Sequence, residues 1–212
     1  MEMRIVFSDV ISLSCLELRN VTYEITSHED ADYEANIDVH SHHLWIEEGG
    51  NIVAYNRVTP GPFSVLSLRS EGNTATPTGP NVVELSRAFV VPQWRNVGFF
   101  SFLALQTISC VIDRFPNCRD IALVVEPLEH RLRHLTDIGF LMIGKPLVYY
   151  DRKGVPRLGQ GMYLPVATSK RHVENDRRNK FDSLRTKGIL ISAANEGVQL
   201  DAGVASAADA RL

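Results

Sequence analysis

Hydrophobic positions along this chain switch between two spacings. Alternation with period two marks strands, and recurrence every three or four residues marks helices. "RIVFSD" reads as a short first strand. "VISLSCLELRNVTYEIT" then carries Ile11, Cys15, Leu18, Val21 and Ile25 at helical spacing, with Ser8 or Asp9 as the candidate cap. The acidic stretch "SHEDADYEANID" reads as a loop. "HHLWIEE" and "NIVAYNRV" are strand-like and joined through Gly49 and Gly50, which supply the freedom of a hairpin turn. "TPGPFSVLSLRSEGNTATPTGP" is rich in Pro, Gly, Thr and Ser and predicts a long loop, with room for a short element around Val65 to Leu68.

"NVVELSRAFVV" is the longest β-branched strand candidate, and Pro92 ends it because proline cannot donate to a sheet ladder. "FFSFLALQTISCVIDRF" predicts a helix too apolar for a surface. "DIALVVE" is a buried strand. "LEHRLRHLTDI" follows Pro127 as a helix, with Gly139 at its end. "LVYYD" and "GMYLPVA" close the pattern as two strands around the turn "RKGVPRLGQ". The order strand, helix, hairpin, long strand, helix, strand, helix, strand pair predicts an α/β or α+β sheet with helices on both faces. From Thr168 the chain turns charge-dense and then small and weakly patterned. We expect one domain over 1–167 and a charged, partly flexible tail over 168–212 holding one possible helix.

Composition narrows the function classes. The 44% hydrophobic content suits one domain with a real core, and a net charge of −3 gives no general pull toward nucleic acid or anionic membrane. No run approaches the roughly 20 apolar residues of a membrane span. Cys15, Cys110 and Cys118 lack metal-ligand or disulfide spacing and read as buried free thiols. That fits a reducing cytoplasm, and the opening "MEMRIVFSDV" carries no signal-peptide pattern. In "HSHH" no Cys or carboxylate completes a set with His40, His42 and His43. His130 and His134 lack the intervening glutamate of a metalloprotease. No metal site is expected. Ser86 and Ser101 lack an elbow motif and are not read as nucleophiles.

The strand-turn-helix "ELSRAFVVPQWRNVGFFSFLAL" is the expected functional heart. A helix opening after a central strand offers free amides and a positive dipole end to an anion. Arg95, Val97, Gly98, Phe99 and Phe100 lie at that opening. The two phenylalanines crowd a turn in which a phosphate-cradling loop would carry glycine.

These residues resemble a known superfamily. "VVPQWRNVGFFSFL" followed by "IALVVEPLEHRLRHLTDIGF" looks like the core of the GNAT N-acyltransferases, with Arg95 and Gly98 at the turn motif and Phe100 where its final small residue stands. "ELRNVTYE", "DVHSHHLWIEEGGNIVAYNRVTP", "ELSRAFVV" and "VVEPLEHRLRHLTDIGFLMIGKP" run in the order seen in acyl-homoserine-lactone synthases and the related long-chain N-acyl amino acid synthases. The matching positions are Arg19, Asp38, Arg57, Glu84 and Arg87, and the likeness covers roughly residues 4 to 166. Two positions depart: Ala35 stands where the lactone synthases pair an acid with Asp38, and an aromatic pair after Arg19 is reduced to Tyr23.

The resemblance implies a GNAT-like mixed sheet and a bacterial, cytoplasmic acyltransferase. It would move a fatty acyl group from a thioester to the amine of an amino acid or related metabolite. No bound cofactor is implied. The donor would be acyl carrier protein rather than acyl-CoA, because a crowded turn tolerates one phosphate more readily than a pyrophosphate; acyl-CoA stays open. Glu84 would take the amine's proton. Strict alternation separates Glu84 from Arg87, and a bulge between them would let Arg87 hold the carboxylate ionised. Arg19, Asp38 and Arg57 would bind substrate, and backbone amides of Ala88, Phe89 and Val90 would meet the oxyanion. Alternatives are an acetyl-CoA-dependent acetyltransferase and a degenerate acyl-CoA-binding regulator.

Overall fold

A computed structural model describes residues 1–61, 79–150 and 155–193, with the backbone alone at 149, 150 and 193. The expected short element near Val65 to Leu68, part of the last turn, and the end of the tail from residue 194 lie outside the described residues. Eight strands are described: β1 (Glu2–Ser8), β2 (His42–Glu48), β3 (Asn51–Pro60), β4 (Val82–Val90), β5 (Asp120–Val125), β6 (Leu141–Tyr150), β7 (Pro156–Pro165) and β8 (Leu190–Ala193). They form one mixed sheet in the order β6-β7-β5-β4-β3-β2-β1-β8. Two pairs are parallel, β4 with β5 and β1 with β8; the rest are antiparallel.

The helices are α1 (Leu13–Thr22), α2 (His28–Asp38), α3 (Phe99–Arg114), α4 (Glu129–Ile138) and α5 (Val166–Thr186). One face of the sheet packs on α3, with α4 and α5 beside it. Val58, Val83 and Leu85 meet Leu105 and Ile108 of α3 there, together with Leu135 and Ile138 of α4 and Val173 of α5. The apolar character of α3 is thereby explained, since it lies between sheet and helix. The other face holds α1 and α2, over Cys15, Trp45, Tyr55, Phe89 and Val91. Helices on both faces of a mixed sheet are what the element order predicts. Cys15 and Cys118 are buried thiols, and Cys110 is half-buried.

The structure corrects the expected elements locally: β7 already begins at Pro156, so 156–160 of the expected turn "RKGVPRLGQ" is paired strand. Residues 28–38, expected as a loop, form α2. Ser27 caps it by accepting from the Asp30 amide, and Glu29 and Asp30 in the first turn complement the helix dipole. The helix buries a single residue, the acid Glu34. A helix that docks through a carboxylate shows no apolar stripe, which is why its periodicity is silent. Ser12 rather than Ser8 or Asp9 caps α1.

The charge-dense stretch beyond Thr168 forms most of α5, which lies antiparallel along α3. Arg177 reaches Gln106, the Phe181 ring meets Phe102, and the Lys187 ammonium donates to the Val97 carbonyl at 2.9 Å. Past a turn at Gly188, β8 adds to the sheet beside β1.

Candidate active site

The sheet opens between β4 and β5. Their parallel pairing covers Val82 to Glu84 against Asp120 to Ala122 and stops there. β4 runs on to Val90 and stays with β3, while β5 runs on to Val125 and stays with β7. From Leu85 onward no strand among the described residues lies beside the β5-facing edge of β4. The Val91 amide donates to the Val53 carbonyl, so Val90 turns its own polar groups the other way, into the gap. Arg95 Nε donates to the Val90 carbonyl there, at 3.1 Å. The Ala88 carbonyl takes the Tyr23 hydroxyl at 2.8 Å. Phe89, in contrast, pairs with Tyr55 of β3.

A bulge sits in the same stretch. Tyr55 pairs with Phe89 and Arg57 with Ser86, so Arg87 and Ala88 together oppose Asn56. Arg87 has φ +56°, a left-handed conformation that a side chain rarely adopts. The extra residue changes the alternation. Val83 and Leu85 face α3, Phe89 and Val91 face α1, and the side chains of Ser86 and Arg87 both engage groups on the α1–α2 side. Glu84, two residues before Ser86 and opposite Thr59, falls on that side too and is buried at 2% exposure. Glu84 and Arg87 thus share a face, but the Arg87 guanidinium donates to Glu34 of α2.

Glu34 is the residue that sequence reading missed. Its carboxylate takes Arg87 Nη2 at 2.5 Å and Arg57 Nη1 at 2.7 Å. Asp38, one helical turn on, takes Arg19 Nη1 at 2.6 Å and Arg57 Nη1 at 3.2 Å. Arg57 Nε also donates to Ser86 Oγ at 3.1 Å. Arg19, Asp38, Arg57 and Arg87 therefore lie in one chain of alternating charge, and Glu34 completes it. Of these side chains only that of Arg87 is substantially open, at 31%. Its guanidinium stacks over the Tyr23 ring, 4.9 Å from the centroid. Burial works to raise the Glu34 pKa, but the hydrogen bond and charge of Arg87, with Arg57 behind it, hold it below the usual carboxylate value. Asp38 holds Arg19 charged against the opposing cost of its burial. The signal for this pairing was the spacing of four between Glu34 and Asp38, which puts two acids on one helix face. The lactone-synthase pattern places its second acid at 35, where Ala35 is exposed.

Beside the chain of charges, His43 Nδ1 and the Tyr55 hydroxyl lie 2.8 Å apart, both side chains fully buried. Burial pushes the His43 pKa down to about 4 from 6.5, so the ring stays neutral at pH 7. An unfolded chain regains the proton near pH 6.5. Above that pH the two states bind equally and no stability is lost. As pH falls from 6.5 toward 4 the unfolded state gains protons that the folded state refuses, and stability drops by about 1.4 kcal/mol per pH unit from this group. Urea titrations at pH 7.5, 6, 5 and 4.5 should show that slope, and His43→Asn should flatten it. Equal slopes in both proteins would remove His43 as its source.

At the far end of the bare edge, the donor-turn residues have separate fates. Gly98 caps α3 with φ +100°, a conformation open to glycine. Phe99 turns into the core and meets Trp94 edge-on at 5.4 Å. Phe100 stays 41% exposed with its ring 6.0 Å from that of His134 on α4. The first-turn amides have no partner within the helix itself, as at any helix start. Arg95 and the Lys187 ammonium flank the turn through the Val90 and Val97 carbonyls. Val90 and Glu84 are six residues apart on β4, roughly 20 Å of strand.

A groove of about 740 Å³ opens elsewhere on the α1 side, between Glu17 and Leu18 of α1, Glu48 and Asn51 of the hairpin, and Val91 and Trp94. It lies at the Val91 end of β4, away from Glu84. Among the described residues no group of three or more His, Cys, Asp or Glu side chains is set for a metal ion, and no helix is long and apolar enough to cross a membrane.

No protein-family model matches the sequence, and no curated protein does. Solved structures do match. An acyl-homoserine lactone synthase, BjaI, with MTA superposes with a TM-score of 0.60 at 15% identity, over 92% of this chain and 94% of that one. The acyl-homoserine lactone synthase LasI gives 0.58 at 16% identity, over 81% and 92%. An acyl-CoA N-acyltransferase from Pseudomonas aeruginosa gives 0.54 at 16%, over 76% and 99%. At these identities the likeness concerns the fold. With β4 parting from β5 beyond Glu84 and α3 opening at the end of the freed edge, the chain has the GNAT fold, and its shape resembles both the general acyltransferases and the lactone synthases.

Proposed function

We propose that this protein is an N-acyltransferase that moves a fatty acyl group from a thioester to the amine of an amino acid or related metabolite. The carrying observation is the parting of β4 and β5. It sets a buried carboxylate, Glu84, at the closed end of a bare strand edge and a helix N-terminus at the open end. An acyl thioester on a phosphorylated arm would lie along that edge. Its phosphate would meet Arg95 and the amides of Val97, Gly98, Phe99 and Phe100. The tetrahedral oxyanion would take the Val90 amide, with Ala88 and Phe89 shaping the edge around it. Glu84, at the far end of the edge, would be the final acceptor of the proton that the attacking amine sheds, reached through water along the gap. Arg19, Asp38 and Arg57 would form the wall of the acceptor site, with Arg87 as its open member.

The exposed Phe100 ring at the turn favours a donor with one phosphate, the arm of acyl carrier protein, over the pyrophosphate of acyl-CoA. The protein partner would then be the carrier, in the cytoplasm of a bacterium. Whether the product is a signal molecule of the autoinducer type follows from the acceptor. Removal of a charged hydrogen bond to the phosphate in Arg95→Ala should raise the donor KM about tenfold with kcat little changed. An unchanged KM in steady-state assays would take Arg95 out of donor binding.

Mass spectrometry of lipid extracts from an expressing bacterium tests the reading as a whole. A new long-chain N-acyl amine supports it. Turnover of acetyl-CoA without a long-chain product would replace it with an acetyltransferase. Binding of acyl thioester without any product would replace it with an acyl-binding regulator.

A further inference from the structure

We propose that Glu34 is a positioning residue, clamping the β4 bulge that shapes the bare edge next to the gap. The bulge is strained at Arg87, whose φ of +56° is unfavourable for any residue with a side chain. Something outside the strand has to hold it, because such conformations persist where their surroundings over-determine them. The contacts that do so converge on one carboxylate. Glu34 receives Arg87 on both oxygens, from Nη2 at 2.5 Å and Nε at 3.3 Å. The second oxygen also receives Arg57 Nη1 at 2.7 Å, and Arg57 in turn fixes Ser86 Oγ. Ser86 is the last regular residue before the bulge. Ala88, the residue after Arg87, is gripped through its carbonyl by Tyr23, whose ring lies under the same guanidinium. Thus Ser86, Arg87 and Ala88 are each tied to α1 or α2 through a group that touches Glu34 or its Arg87 partner.

The clamp works by geometry. An arginine fork on a carboxylate fixes direction as well as distance. Glu34 is 1% exposed and belongs to a helix that docks through it, so the fork has a rigid counterpart. With the fork lost, Arg87 has no reason to keep a left-handed backbone. The strand would relax toward regular alternation, and a one-residue change of phase would swing Ala88 and Val90 off their present directions. The kinetic part of this inference rests on the acyltransfer reading; the structural part does not.

Glu34→Gln keeps the shape and removes the charge. Hydrogen exchange followed by fragment mass analysis should show the amides of 86–90 exchanging at least about tenfold faster in the variant, with β2 and the Val53 to Val58 stretch of β3 unchanged. In steady-state assays kcat should fall at least about tenfold while the donor KM stays within about twofold. A group that merely stabilises the fold would speed exchange across the sheet and would not split kcat from KM. Unchanged exchange at 86–90 in folded Glu34→Gln overturns the clamp. Should that variant not fold, Arg87→Lys keeps the charge but loses the fork, and the same readouts decide in the same directions. A wild-type protein that yields no acyl product from any thioester would sink the function reading while leaving the exchange result to judge the clamp.

Discussion

Glu84→Gln is expected to lower kcat about 10²- to 10⁴-fold while the donor KM changes by less than about twofold, the usual worth of a positioned general base. The substitution is nearly isosteric, so the strand should keep its pairing with Thr59 and Ala122. What it removes is the capacity to hold a proton. An amine attacking a thioester starts neutral and becomes cationic as the bond forms, and the intermediate collapses back unless that proton leaves. Glu84 sits at the last residue where β4 and β5 still pair, at the closed end of the gap, from which water along the bare edge would relay that proton to it. Single-turnover assays with pre-formed acyl thioester and excess amine isolate the step. Wild-type rates in the variant would remove Glu84 from the chemistry and leave it a structural acid.

Asp38→Ala is expected to destabilise the protein by about 3–5 kcal/mol, because it strands the buried Arg19 guanidinium and takes one partner from Arg57. Arg19 is 1% exposed and its Nη1 has both Asp38 oxygens within 2.8 Å. Among the described residues its Nε has no partner. Arg57 would keep Glu34 and Ser86 but lose its contact to Asp38. For a chain of this size the loss corresponds to a melting point lower by roughly 6–20 °C. Replacing the pair together, Arg19→Met with Asp38→Leu, should recover most of that stability, since a well-packed apolar pair is often as stable as a buried ionic one. Guanidinium denaturation of the three proteins provides the comparison. A loss under about 1 kcal/mol in Asp38→Ala would mean that the pair is effectively solvated.

The fold was readable where burial follows a period. The hairpin of β2 and β3, the run from β4 through the Gly98 turn into α3, and the Gly139 end of α4 each carry apolar spacing or a punctuating residue. α2 was unreadable by that route, because its contact with the domain is ionic. Only its cap, Ser27 with Asp30, and the paired acids at 34 and 38 announce it. The bulge was invisible for a different reason: "ELSRAFVV" is compatible with unbroken alternation, and what breaks it is a contact with Glu34, 53 residues earlier in the chain. Arg19, Asp38, Arg57 and Arg87 were legible as a set through resemblance, but residue types alone did not say that they join through a helix. Nor did anything in the sequence indicate that Lys187 would stand beside the Val97 carbonyl.

The strandless edge of β4 has a further implication. A row of main-chain donors and acceptors along an open edge needs partners, and beyond the bonds from Tyr23 and Arg95 water would supply them when no ligand is bound. A ligand carrying amide groups along its length would act as a surrogate strand, replacing that water rung by rung. Recognition of this kind reads backbone, so side chains along the rim can drift without loosening the grip. Sequence divergence there would then be a poor guide to whether two such proteins share a substrate.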